Sequence, residues 1–270
     1  MYLFGFDQRS SLLEDAKQYL PFLDYLNRAT GYNFKLRFTP QSSSIVDALG
    51  QGNVHFAAIG AVSFLEAELR YGIIPLVRGV NIDGRTEYQS IVIVRPDSEI
   101  EDIAALKGKR LAFGSINSTQ GHLIPRIVLA EHGVSLEDLG SHTYTGSHFN
   151  CADAVIKGQA DACGMQDTMA RSLADQGFVK ILYESAHFPS SGIAAHKGVP
   201  AAVLDSVRKA LLDFDPTGRD QPGLYRWTST EMPLGFEVAL SSDYRELKKW
   251  AVHFGFLPSD ADNGAEAATQ

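Results

Sequence analysis

Between an apolar run, Leu111-Ala112-Phe113, and an amphipathic segment over residues 122–132 lies Gly114-Ser115-Ile116-Asn117-Ser118-Thr119-Gln120-Gly121, a stretch whose small polar residues suit anion binding. A strand that stops at such a loop and restarts as a helix leaves the first backbone N–H groups unpaired and aimed at whatever sits above them. The hydroxyls of Ser118 and Thr119 add donors. The same pattern also fits a plain helix start, with Asn117 or Ser118 as the cap and nothing bound. A second small-polar loop, Thr145-Gly146-Ser147-His148, stands immediately before another predicted helix. Two such loops in one unit are harder to read as caps alone.

Composition narrows what the loops could serve. The chain carries a net charge of -8 and no Lys/Arg cluster, which argues against nucleic acid and anionic membranes, where a basic footprint supplies most of the affinity. An acidic chain that binds an anion must do so with local dipoles. No run approaches the roughly 20 apolar residues of a membrane span. The N-terminus, Met1-Tyr2-Leu3-Phe4-Gly5, lacks a basic segment followed by an apolar core, so the chain reads either as cytosolic or as one whose signal segment has been replaced by Met1. The eight histidines show neither an H-E-x-x-H pattern nor zinc-like spacing with cysteine, and neither metal nor cofactor is expected. Cys151 and Cys163 fall at a helix start and in the following strand and are expected to be two buried small residues, not a disulfide. No G-x-S-x-G, Walker A or Ser/His/Asp spacing points to an enzyme, and the adjacent Ser147 and His148 diverge too much to act as nucleophile and base.

The elements that must position the loops are those of an α/β chain. Residues 2–6 read as a buried strand and residues 12–29 as a helix, with Leu13, Tyr19, Leu20, Leu23 and Leu26 on its apolar side and Pro21 marking a kink or a division into two helices. Residues 34–38 alternate as a half-buried strand, and Ser42-Ser43-Ser44 opens a helix over residues 45–50. Residues 60–64 read as a turn before a helix over 65–71. A strand over 73–80, a β-branched run over 88–95 long enough to pass between two lobes, and a returning strand over 192–196 follow. Helices are expected over 201–214 and 244–254, and a disordered tail or linker over 259–270. Asp47-Ala48-Leu49, Gly52 and the strand from Val54 match Asp153-Ala154-Val155, Gly158 and the strand from Ala160, residue for residue. This repetition suggests two similar lobes sharing a cleft.

Pro96-Asp97-Ser98-x-Ile100, Leu106-Lys107-Gly108-Lys109, Phe113-Gly114, Asn117-Ser118-Thr119 and Gly146-Ser147-His148, together with Ala154-Val155-x-x-Gly158-x-x-Asp161, resemble the phosphonate, phosphite and phosphate binding proteins of bacterial ABC transporters. The similarity covers about residues 4–257. It implies a two-lobed type II periplasmic-binding fold with two crossing hinge strands: residues 1–90 with 193–258 form one lobe and 91–192 the other. It also implies that Ser118, Thr119 and the helix N-terminus behind Asn117 hold the phosphorus oxygens, with His148 and Tyr88 adding hydrogen bonds. In relatives that bind aminophosphonates acidic side chains hold the amine; here those positions appear as Thr168 and Ser191, with Asp167 as a candidate substitute. Ser42 stands for a tyrosine ahead of the first-lobe helix, Gln120 for the third hydroxyl of a Ser-Thr-Ser cradle, and His55 for a buried aspartate. Phe64 is a core residue or lines the cleft. The implied function is an extracytoplasmic, monomeric solute receptor that delivers a small oxyanion to an ABC permease. The alternative is a ligand-sensing domain of a membrane kinase or cyclase with the same fold.

Overall fold

Short buried strands alternate with helices through the computed structural model, which describes residues 1–7, 12–39 and 44–258. The chain runs β1 (Tyr2–Phe6), α1 (Leu12–Thr30), β2 (Phe34–Leu36), α2 (Ile45–Gly50), β3 (Phe56–Ile59), α3 (Ala61–Tyr71) and β4 (Ile74–Gly79). β5 (Glu87–Tyr88) and β6 (Ser90–Val94) lead to β7 (Arg110–Phe113), α4 (Ile124–Glu131), β8 (Ser141–Tyr144), α5 (His148–Ile156), β9 (Ala162–Gln166), α6 (Asp167–Asp175) and β10 (Lys180–Glu184). β11 (Phe188–Pro189) returns the chain to β12 (Gly192–Ala195), α7 (Ala201–Leu212), β13 (Phe236–Val238) and α8 (Arg245–His253). The tail expected over 259–270 lies outside the described residues.

Among the described residues two large sheets form, ordered β13-β4-β12-β3-β1-β2 and β10-β6-β9-β7-β8, beside the two-stranded pair β11-β5. In the first, β1 runs parallel to β2 and β3; in the second, β7 runs parallel to β8 and β9. The carboxyl ends of parallel strands are where open α/β sheets place their ligands. Two segments pass between the sheets. One is interrupted at Gln89 between β5 and β6, and β5 pairs antiparallel with β11 of the other, Phe188 opposite Tyr88. The repeated helix-glycine-strand unit occupies the same station in each sheet, β3 beside β1 and β9 beside β7. Its glycines, Gly52 at φ 77° and Gly158 at φ 68°, take the left-handed conformation that ends each helix.

Several expectations need correction. α1 is one continuous helix through Pro21, and its inward face is Tyr19, Phe22, Leu23, Tyr25 and Leu26, whereas Leu13 and Leu20 are exposed. Long-range aromatic packing selects that face: Phe22 stacks on Trp227 at 4.9 Å and Tyr25 lies 4.7 Å from Phe214. The missing Pro21 N–H would have bonded the carbonyl of Lys17, a residue on the solvent side, where water can replace it. α3 begins at Ala61, so the expected turn is the helix's own first turn.

Cys151 and Cys163 form a disulfide, with Cα atoms 5.8 Å apart, contrary to the expectation of two unpaired residues. The first turn of α5 packs along β9, a closeness that a twelve-residue separation in sequence does not reveal. Replacing both by alanine is expected to cost about 3 kcal/mol through the released loop constraint. Identical urea unfolding curves for variant and wild type would refute this.

His55, which the resemblance sets in place of an aspartate, acts as an acceptor. Its Nδ1 takes the N–H of Leu3 at 3.0 Å at the start of β1, and burial pushes its pKa below the usual value. An unprotonated Nδ1 does here what a carboxylate oxygen could do.

Candidate functional site: a polar cavity at the strand ends

A cavity of about 100 Å³ lies where the carboxyl ends of the parallel strands of both sheets meet. Asp7 follows β1, Gly60 and Ser63 follow β3, Ser115 and Asn117 to Gln120 follow β7, and Gly146 to His148 follow β8. Tyr88 and Ser191 enter from the crossing segments and Glu231 from the stretch before β13. The volume suits a small polyatomic ion and falls well below the roughly 300–1,000 Å³ of a drug-sized pocket. No lysine or arginine lines it among the described residues.

The two polar loops are laced together. The N–H of Gly146 donates to Gly114 O at 3.1 Å, and the N–H of Gly114 to Gly121 O at 2.8 Å. Gly121 has no room for a side chain. A Cβ there would stand 2.9 Å from Ser118 Oγ, 3.0 Å from His148 Cε1 and 3.1 Å from Gly114 Cα. Residues Thr119–Leu123 form a single π turn that runs into α4, with Ser118 as its cap accepting from the Gly121 N–H at 2.9 Å. Such turns leave their leading amides without intrahelical partners. Because the Ser118 hydroxyl already accepts, its hydrogen remains as a donor. Thr119 is in the same position, its Oγ1 accepting the N–H of Val62 in α3 at 2.9 Å.

His148 is the first residue of α5, behind the cap Ser147, whose Oγ accepts from the Asn150 N–H at 3.1 Å. Its Nδ1 accepts the N–H of Gln166 at 3.3 Å, so a neutral ring carries its hydrogen on Nε2. Beneath the loop, His122 is buried, its Nδ1 2.7 Å from Ile116 O and its Nε2 3.2 Å from Tyr144 Oη. Burial pushes its pKa down to about 4, with Arg126 and His142 adding to the decrease and the Ile116 carbonyl opposing it. A neutral ring donates to Ile116 O and accepts from Tyr144, which pins the loop from below.

The sequence matches the family described as "ABC transporter, phosphonate, periplasmic substrate-binding protein" over residues 9–244. The chain belongs to that family. This phosphonate-receptor family comprises periplasmic transport proteins, not enzymes. The chain is 27% identical over 233 residues to the phosphonates-binding periplasmic protein of Escherichia coli K12, the match covering 83% of this chain and 69% of the relative. It is 27% identical over 206 residues to the phosphate-import protein PhnD of Mycolicibacterium smegmatis, covering 70% of this chain and 64% of that one. The structure of PhnD1 from Prochlorococcus marinus in complex with methylphosphonate superposes with a TM-score of 0.83 at 18% identity, covering 95% of this chain and 98% of that one. The alkanesulfonate-binding protein SsuA from Xanthomonas axonopodis shares the fold at a TM-score of 0.63 and 20% identity. The fold is thus the two-lobed type II periplasmic-binding fold. Nothing among these relatives favours the sensing-domain alternative.

Within this phosphonate-receptor fold the structure brings Tyr88, Asn117, Ser118, Thr119, Gln120, His148 and Ser191 together around one cavity. Three other candidates lie off it. Phe64 packs its ring on Tyr244 at 4.6 Å in the core. Asp167 stands behind Gln120: its carboxylate accepts the N–H of Gln89 at 3.0 Å and of Thr168 at 2.7 Å, so it serves the hinge and the start of α6. Thr168 is turned to Asp167 in the same way. Ser42 lies outside the described residues. Sequence reasoning passed over Asp7, Ser63 and Glu231. Asp7 had a usable signal, since it directly follows a buried strand at the sheet end where ligands gather; Glu231 sits in an irregular segment with no periodic pattern.

Proposed function

We propose that this cavity holds a small phosphorus oxyanion for delivery to an ABC permease, gripping it with backbone dipoles, hydroxyls and a histidine. What carries the reading is the convergence of both polar loops on one cavity, with hydroxyl hydrogens of Ser118 and Thr119, leading amides of the π turn and the Nε2–H of His148 as donors. Asn117, Tyr88, Ser191 and the side chain of Gln120 complete the contacts. Each donor to a charged oxygen in a dry cleft is worth roughly 1.5–3 kcal/mol. Residues 1–90 with 193–258, and residues 91–192, close over the ligand as two units, and the receptor acts as a monomer. Ser118→Ala combined with His148→Ala is expected to abolish the rise in melting temperature that phosphate, phosphite or methylphosphonate gives the wild type. Equal midpoint shifts in both proteins would refute the assignment.

A further inference from the structure

Gln120 is the cavity residue whose hydrogen-bonding character is fixed by its surroundings. Its Nε2 lies 2.8 Å from Gln89 O and 3.3 Å from Asp167 Oδ1. The first is a backbone carbonyl, which only accepts; both oxygens of the second already accept backbone N–H groups, from Gln89 and Thr168. The amide therefore cannot be reversed, and both Nε2 hydrogens are engaged. What remains of the side chain is Oε1, to which no described residue donates. Gln120 is only 3% exposed, and it lines the cavity. Where a serine hydroxyl could donate, this chain brings an acceptor.

The neighbouring surface has the same polarity. A point at the Cβ position of Gly60 lies 3.6 Å from both Asp7 Oδ2 and Thr119 Oγ1, so a carboxylate oxygen stands close beside the cradle. Among the described residues the titratable side chains lining the cavity are Asp7, Tyr88, His148 and Glu231. Behind Gln120 are Asp167 and Arg171, the latter hydrogen-bonded to Gln89 Oε1 at 3.1 Å. An oxyanion with no hydrogen would meet Gln120 Oε1 lone pair to lone pair. One that keeps a hydrogen can donate it.

We infer that the site selects an oxyanion bearing one hydrogen on oxygen, donated to Gln120 Oε1: the monohydrogen form of a phosphonate, phosphite or phosphate, and not a sulfonate or sulfate. The inference rests on the reading of the cavity as a phosphorus-oxyanion site. Phosphonates and phosphite keep one hydrogen on oxygen up to their second ionisation, at about pH 6–7, and phosphate keeps one beyond it, whereas sulfonates have none to give. A site built to pair with a hydroxyl rejects the analogue that lacks it far more strongly than size alone would allow.

The test is calorimetric titration of the intact protein with methylphosphonate and methanesulfonate, which share a tetrahedral head and a methyl group. At pH 6 the phosphonate is expected to bind at least about 100-fold more tightly. As pH rises through its second ionisation its affinity should fall by about tenfold per pH unit. The midpoint should move when phosphite, with a different second ionisation, replaces it. Gln120→Ser, whose hydroxyl can donate or accept, should narrow the discrimination. Methanesulfonate binding within tenfold of methylphosphonate, or a midpoint common to both phosphorus ligands and hence belonging to the protein, would overturn the inference while leaving the wider function standing. Should Gln120→Ser fail to fold, the wild-type series decides alone. Failure of methylphosphonate, phosphite and phosphate to bind at any pH would instead remove the proposed function, and this inference with it.

Discussion

Gly121→Ala is expected to weaken binding of methylphosphonate or phosphate by at least about 100-fold while leaving the protein folded. The added carbon would stand 2.9 Å from Ser118 Oγ, closer than side-chain carbons come to their neighbours, and 3.0 and 3.1 Å from His148 Cε1 and Gly114 Cα, tighter than nearly all such contacts. None of the three can yield cheaply. Ser118 Oγ is held by the N–H of Gly121 itself, Gly114 is backbone, and His148 is fixed by Gln166 and the start of α5. The loops must therefore part, and losing two donors to a charged oxygen, at roughly 1.5–3 kcal/mol each, costs on the order of 100-fold or more. Calorimetry showing near wild-type affinity in the folded variant would refute this account of the cradle.

The second large effect concerns His122 and acid. Its pKa falls from 6.5 to about 4 on folding, so the unfolded chain takes up a proton before the folded one does. Its contribution to stability is complete above about pH 6.5 and is lost progressively as pH falls to about 4, amounting to about 3 kcal/mol. Other groups titrate over the same range, and comparison with His122→Phe isolates this one. Between pH 7 and pH 4 the wild type should lose about 3 kcal/mol more than the variant, read from urea unfolding at each pH. Parallel losses would show that the ring is not held neutral beneath the loop.

Both effects depend on residues within or directly beside the stretch from Gly114 to Gly121, and that stretch was legible because its chemistry is local. A run of small polar residues after an apolar strand announces exposed amides whatever the rest of the chain does. The partner loop at Gly146 was legible for the same reason, and the helix-glycine-strand repeat indicated two related units. What escaped was set by contacts between distant segments. Leu13 and Leu20 fit the apolar period of α1 as well as Phe22 and Tyr25 do, and only the rings of Phe214 and Trp227 decide between them. Asp167 looked like a candidate for the ligand because it neighbours Thr168, yet its partner is the backbone of Gln89, seventy-eight positions away. The cysteine pair was hidden because its geometry depends on how α5 lies along β9.

The hydrogen bond from the Val62 N–H to Thr119 Oγ1 joins a helix of one sheet's lobe to the π turn of the other's. The atom that links the two is thus one of those that would grip the proposed cargo. If the two units part on release as proposed, that movement would strip both partners of the bond at once, so departure of the anion and separation of the halves would form one event. A transporter that pries the jaws apart would by the same act loosen the hold on what lies between them.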